Sequence, residues 1–396
     1  MRVGLVVYDG LDGTSGGFLY DRRVVQGLRD RGHAVTTVAV PRRSYTRNLL
    51  DSVSQSVWRQ LTALADNVDI ILEDELCHPS LVGPNLRLRR RESSPPIVSI
   101  VHHLRSSEDW SPLRTRVYRT VERAYLLTAD AFVYNSHTTR ETVESLIGPT
   151  TGVLAPPGRD HLQPAVTREQ IRARAHNEGP VELLFVGSIV ERKGLETLLK
   201  GLAALELPWS LTIVGDTTID RAYTEQLQSL VKQLAVGDRV TMTGRVPQSR
   251  LNELYEQCQI LTVPSQYEGY GIVYLEAMGH GLPAVGTRAG GASEVINDGT
   301  TGALITPGDV SALTNAVARL AADRDRLAAH ALAARAAFDD HHTWDETAGA
   351  VATFLRRQRH PHPHRYRHRR PVRNSDGDSN SVCLFNPASL SVCDRA

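Results

Sequence analysis

Residues 264–285 read PSQYEGYGIVYLEAMGHGLPAV, and this stretch decides how the rest of the chain is read. Glu268 and Glu276 stand eight positions apart, with the turn Gly269-Tyr270-Gly271 between them and an apolar helix starting at Ile272. Pro264 and Ser265 close a preceding strand, ILTVPS, and Pro283 opens the next. The unit is strand, loop, helix, strand, with small residues at the helix N-terminus. Free backbone N–H groups and the positive end of the helix dipole make such a terminus a phosphate holder. Glu268 falls in the loop and Glu276 about one turn into the helix. A carboxylate there accepts two hydrogen bonds from a diol, on a ribose or a hexose. The local chemistry predicts a nucleotide-sugar site. Taken alone, the two carboxylates also fit the acid and base of glycoside hydrolysis.

Outward from this unit the same alternation repeats. Strands are predicted at RVGLVVYD, AVTTVAV, VDIILE, PIVSIVHH and ADAFVYN, with helices near 18–31, 52–65, 112–127 and 138–147. The pattern breaks around Pro156-Pro157-Gly158 and restarts at VELLFVGS. Helices at 194–206, 221–235, 249–257, 271–281 and 292–297 then alternate with strands SLTIVGD, RVTMTG, QILTVPS and LPAVGT. This predicts two successive doubly wound α/β domains with a junction near 156–165. TWDETAGAVATFLRRQ (343–358) reads as a final amphipathic helix.

The chain has 396 residues, 41% hydrophobic and 22% charged, as in a soluble globular protein. Its net charge of +1 is unevenly spread. Nine arginines against three aspartates after residue 355 give that end +6 and leave the body at −5, which argues against a nucleic-acid binder. The Arg-, His- and Pro-rich tail after about 357 has no apolar periodicity and is expected to be disordered. The four cysteines form no CxxC pair, which argues against a zinc site and fits a reducing compartment. MRVGLVVYDG reads as a first buried strand, not a leader, and no apolar run reaches the ~18 residues of a membrane span.

Other candidate residues lie at the ends of predicted strands. Gly13-Thr14-Ser15-Gly16-Gly17 is a small-residue loop that lets backbone approach a ligand, though it is neither GxGxxG nor a P-loop. Arg192 and Lys193 precede a helix after the strand ending at Gly187, and two cations there suit a diphosphate leaving group. His102-His103 end a strand where α/β ligands bind, with adjacent side chains on opposite sides. Gly290-Gly291 is expected to line the cleft, and Glu294 to cap its own helix or touch a ligand. Residues 81–125 hold nine arginines and four acidic residues. Arg116, Arg119 and Arg123 share one helical face, and Arg87, Arg89, Arg90 and Arg91 are placed in a polar loop. A solvated basic face explains them; contact with anionic lipid is the sharper reading.

In this order the motifs resemble the retaining GT-B glycosyltransferases of family 4, the "group 1" transferases, over roughly residues 1–356. The match rests on the Glu268-x7-Glu276 element with GYG, on VGSIVERKGLETLL, NSHTTRETV, APPG, GGASEVINDGTTGALITPGD and the closing W-E helix. The resemblance implies two Rossmann-like domains facing a cleft: an acceptor-side domain at 1–158, a nucleotide-sugar domain at 159–342, and a crossover helix at 343–357 that packs back on the first, leaving the tail 358–396. It implies transfer from a nucleotide-diphosphate-sugar to a hydroxyl of a glycan, lipid or small molecule with retention of configuration, no metal and no other cofactor. On that pattern Lys193 and Arg192 stabilise the phosphates, Glu276 binds the ribose, and Glu268 lies near the donor sugar. Gly269, Tyr270, Gly271 and Ile272 hold hydroxyls and phosphate through backbone groups. Gly16 and Gly17 approach from the other domain, His102 positions the sugar, and Val246 lies by the base. No enzyme nucleophile is implied, so the glutamates become holders of the donor and phosphate departure drives the chemistry. Ser188 stands where the family often has Arg, which leaves Arg192 as the candidate substitute, and Gly215-Asp216-Thr217 replaces a frequent GxG. The cysteine usage and the lack of a leader or span lead to the expectation of a cytoplasmic protein, and the basic segment 81–123 to that of peripheral contact with the inner face of an anionic membrane, a soluble acceptor being the equal alternative. The competing expectations are a GT-B epimerase or phosphorylase, or a fold-retaining protein that only binds nucleotide sugars.

Overall fold

The computed structural model describes residues 1–13 and 15–359. The expected tail therefore lies outside the described residues, apart from its first two positions. Met1–Arg359 form one compact unit built on two parallel six-stranded sheets.

The first half runs β1 (Arg2–Tyr8), α1 (Gly16–Asp30), β2 (Ala34–Val40), α2 (Tyr45–Asp51), α3 (Gln55–Ala65), β3 (Ile70–Asp74), α4 (His78–Leu88), β4 (Ile97–Val101), α5 (Pro112–Leu126), β5 (Ala131–Tyr134), α6 (His137–Ile147) and β6 (Gly152–Leu154). Its sheet has the order β2-β1-β3-β4-β5-β6. Side-chain alternation along β1 feeds two cores. Val3, Leu5 and Val7 pack with Tyr20, Val24 and Leu28 of α1, while Val6 and Tyr8 join Leu61, Leu81 and Tyr125 on the other face. Burial on both faces is what makes these strands continuous apolar runs.

The second half runs α7 (Arg168–Ala175), β7 (Val181–Val186), α8 (Leu195–Ala203), β8 (Trp209–Val214), α9 (Arg221–Gln233), β9 (Val240–Gly244), α10 (Gln248–Gln257), β10 (Ile260–Thr262), α11 (Ile272–Gly279), β11 (Ala284–Thr287), β12 (Gly302–Ile305), α12 (Val310–Ala321), α13 (Arg324–Asp339) and α14 (Trp344–Gln358). The sheet order is β12-β11-β10-β7-β8-β9. Helix α14 returns to the first sheet, where Trp344, Val351 and Leu355 share a core with α1. It is held so closely that a Cβ on Gly27 would overlap that of Ala348. A capping box at Thr343 and Glu346 sets its start, and it ends at Gln358, the last residue of the expected amphipathic stretch.

Several expectations are corrected. The stretch holding Arg87 is the helix α4, not a loop; Pro79 sits in its first turn, where a missing N–H costs nothing, and Pro84 inside it masks the pattern. The helix expected at 52–65 is α3, starting three residues later at Gln55, and a further helix that was not expected, α2, precedes it. A strand not expected from the sequence, β12, follows the Gly- and Thr-rich stretch after Asn297, and the helix expected at 292–297 is a single 3-10 turn, Gly291–Glu294.

Candidate active site

Both sheets turn the carboxyl ends of their strands toward one cavity of about 920 Å³. That is where ligands bind open parallel sheets. All of Gly16, Gly17, His102, Arg192, Lys193, Val246, Glu268, Gly269, Tyr270, Gly271, Ile272 and Glu276 line it, as does Ser188.

The loop before α11 is built around close backbone approaches. Gly271 takes φ +90° at the helix N-cap, a conformation glycine adopts without strain. Gly269 lies so near the His102 carbonyl that a Cβ would collide with it, so the second half touches the first here. Gly16, at the start of α1, faces Ile272 with room for only a methyl contact at 3.4 Å.

Glu268 is the electrostatic centre. Its Oε1 lies 2.5 Å from Lys193 Nζ, accepts from Ser265 Oγ at 2.6 Å and stands 3.8 Å from Arg192 Nη1. Burial, the largest single influence, would raise its pKa, but the Lys193 and Arg192 cations and these hydrogen bonds together hold the carboxyl at about 2. Lys193 is in turn lowered, by burial first and by Arg192, against the pull of Glu268. Arg192 donates to the Tyr267 carbonyl at 2.7 Å and pairs across the cleft with Glu108 at 3.3 Å. Glu276 accepts from Tyr255 OH at 2.9 Å and lies 2.8 Å from His161 Nε2.

His102 is buried, with Nε2 3.1 Å from Asp21 Oδ1 and 4.0 Å from Asp74 Oδ1. Burial would lower its pKa; the Asp21 carboxylate, helped by Asp74 and Glu75, overrides this and raises it to about 9. The two histidines stand just past β4, which ends at Val101, so strand alternation does not part them: His103 also lines the cavity, its Nε2 3.0 Å from Glu108 Oε1. Among the described residues, two buried groups gather three ligand-type side chains each: Asp21, Asp74 and His102, and Glu75, His78 and Glu122. In the first, the imidazole nitrogen nearest both carboxylates is the one in contact with Asp21. In the second, His78 Nε2 meets Tyr45 OH, and Glu122 accepts from Ser106 N.

Sequence reading missed Asp21, Glu108, Tyr255 and His161, whose partners across the fold are His102, Arg192 and Glu276. It also missed Arg23 on α1, which lines the cavity with no hydrogen bond or ion pair among the described residues. Glu294 caps neither its own helix nor the cavity. It accepts from His137 N and Thr138 N at 2.9 Å each, so it caps α6 of the first half.

Solved structures share this architecture. Sucrose-phosphate synthase from Thermosynechococcus elongatus superposes with a TM-score of 0.76 at 22% identity, covering 90% of this chain and 98% of that one. Anabaena HepE, in complex with UDP and glucose, gives 0.73 at 20% identity over 90% and 100%. The fold is therefore GT-B. The family described as glycosyl transferases group 1 matches residues 166–337. A GDP-mannose-dependent alpha-(1-6)-phosphatidylinositol monomannoside mannosyltransferase of Mycolicibacterium smegmatis is 32% identical over 71% of this chain and 74% of its own. A D-inositol 3-phosphate glycosyltransferase of Xylanimonas cellulosilytica is 30% identical over 58% and 57%. Fold and site together define an enzyme that works on nucleotide sugars. The chain belongs to the group 1 glycosyltransferases and transfers a glycosyl group from a nucleotide-sugar donor.

Proposed function

We propose that the chain is a retaining, metal-independent transferase that moves a hexose, mannose from GDP-mannose foremost, to a hydroxyl of an inositol-containing lipid at an anionic membrane surface. The observation that carries the reading of the site is the placement of Lys193 and Arg192 beside Glu268, at the mouth of the α11 N-terminus. Two cations and a helix terminus meet the charge of a departing diphosphate without an ion's help. In the step itself the bond from the anomeric carbon to the phosphate oxygen breaks, and a bond to the acceptor oxygen forms on the same face. The acceptor proton passes to the leaving phosphate. Glu268, held ionised, cannot act as the acid, and it braces the cations instead. The donor and acceptor classes follow the named relatives.

Membrane contact is supported by the first half's surface. Leu50, Val53, Leu86, Leu113 and Val117 are five of the seven exposed large apolar residues among those described. They lie on α2, the turn after it, α4 and α5, interspersed with exposed Arg47, Arg87, Arg114 and Arg116. Apolar side chains among arginines suit an anionic interface. No described helix is long and apolar enough to cross a membrane.

The test is incubation with GDP-, UDP- and ADP-sugars, with and without phosphatidylinositol vesicles. Nucleoside diphosphate released from GDP-mannose only when vesicles are present is the expected result. Release that ignores the acceptor, or none across the panel, contradicts the proposal. Pelleting with anionic vesicles should occur at low salt and fade at high salt.

A further inference from the structure

Glu276 is held by a chain of contacts that starts where the polypeptide crosses between the two sheets. His161 lies in the segment joining β6 to α7, and Trp344 opens α14. Trp344 Nε1 donates to His161 Nδ1 at 3.3 Å, and the rings meet edge to face. An indole N–H only donates, so Nδ1 uses its lone pair and the hydrogen of the ring sits on Nε2. Nε2 therefore donates to Glu276 Oε1 at 2.8 Å, while Tyr255 OH donates to Oε2 at 2.9 Å. The His161 side chain is only 5% exposed and that of Glu276 16%. Trp344 is fixed again through its backbone N–H, which donates to Asp160 Oδ1 at 2.6 Å.

One donor on each oxygen fixes the rotation of the carboxylate plane. Each oxygen keeps acceptor capacity on its cavity side, and the two together suit the paired hydroxyls of a ribose. We propose that His161 is the positioning residue of Glu276, aiming it at the ribose diol of the donor nucleotide, and that Trp344 ties this aim to the crossing segments of the chain. This rests on the reading of Glu276 as the ribose holder. A residue that merely packed the linker would support every ligand alike; one that aims a carboxylate at a diol affects ligands that carry both hydroxyls.

The experiment is calorimetric titration of the full chain with GDP and 2′-deoxy-GDP, and with UDP and 2′-deoxy-UDP in parallel. Wild type should prefer the ribonucleotide at least about tenfold, as expected for a lost charged hydrogen bond. His161→Ala should bring the ratio within about threefold and raise KM for the sugar donor with little change in kcat. His161→Gln, which keeps an N–H donor, should restore much of the preference. A His161→Ala protein that keeps the full ratio would overturn the inference while leaving the donor site standing. Wild type that binds all four ligands without preference would overturn the ribose reading and the inference together. A readout on the wild-type chain needs no His161 variant: nucleotide binding should change tryptophan emission, and most of that change should vanish in Trp344→Phe. An unaltered change in that variant would contradict the tie to the crossing segments.

Discussion

Between Lys193, Arg192 and Ser265, Glu268 is ionised at any working pH, and that decides what the glutamate pair does. On the proposed reading, the cations it braces meet the phosphate charge. Lys193→Ala and Glu276→Ala should each lower kcat/KM at least about tenfold, since hydrogen bonds to charged groups are worth roughly 1.5–3 kcal/mol. Steady-state rates close to wild type in both variants would remove these residues from the site. His102 carries a second prediction. Asp21 is the main cause of its raised pKa, and without that charge burial pulls the ring the other way. The imidazolium then loses its proton at lower pH, so in Asp21→Asn the high-pH limb of the kcat profile should move down by about one unit or more. An unmoved limb in a folded variant would show that this proton has no part in the reaction. The residues legible beforehand were those whose partners are near in sequence or announced by motif: Glu268, Glu276, Arg192 and Lys193. Asp21 and His161 were not, because His102 and Glu276 lie 81 and 115 positions from them. A lone Asp in LYDRRV carries no local signal of that pairing.

The 3-10 turn Gly291–Glu294 and helix α6 belong to different sheets yet meet at the cleft edge. Glu294, from the other half of the chain, supplies a charged cap to the α6 N-terminus beside the local cap Ser136. With the Arg192–Glu108 pair it latches the two halves together. Glu294→Ala should raise KM for the donor about threefold to tenfold, and small-angle scattering should show a larger radius of gyration without donor. An unchanged radius and KM would mean the latch carries no closure energy. Elements were legible where burial wrote an uninterrupted apolar run, as in β1 and β5. They were hidden where a proline sat inside a helix, as Pro84 does in α4, or where a strand such as β12 was four residues among turns. Glu294 looked like a local cap because nothing in GGASEV announces a helix from the other domain.

Across the whole molecule the buried acids make stability pH-dependent. Glu73, at the centre of the first sheet, is raised to about 7 by burial against the pull of Asn85, and Glu75 is raised to about 7, also by burial. These two carboxyls therefore hold more protons in the folded state than in the unfolded one between about pH 4.5 and 7, and their own contribution to stability falls as pH rises through that window. His102, raised to about 9, adds stability that is lost from about pH 6.5 to 9. Glu268 acts at the other end: its lowered pKa means stability is lost as pH falls from about 4.5 toward 2. Buried His78, His280 and His341, each lowered to about 4 by burial first, act the other way, their stability being lost as pH falls from about 6.5 toward 4. Mutation separates the acid contribution: Glu73→Gln should raise Tm at pH 8 more than at pH 5, and an equal change at both pH values would contradict this. The two-sheet frame that brings these groups together also brings His102 and Asp21 to the same cleft as Lys193 and Glu268, and there the central claim is tested. The measurement is the anomeric configuration of the product made by EDTA-treated enzyme from an α-linked nucleotide sugar, read by proton NMR beside the nucleoside diphosphate released. An α-glycoside formed one for one with the diphosphate is expected; a β-glycoside, or activity that returns only with added metal, would contradict retaining, metal-independent transfer.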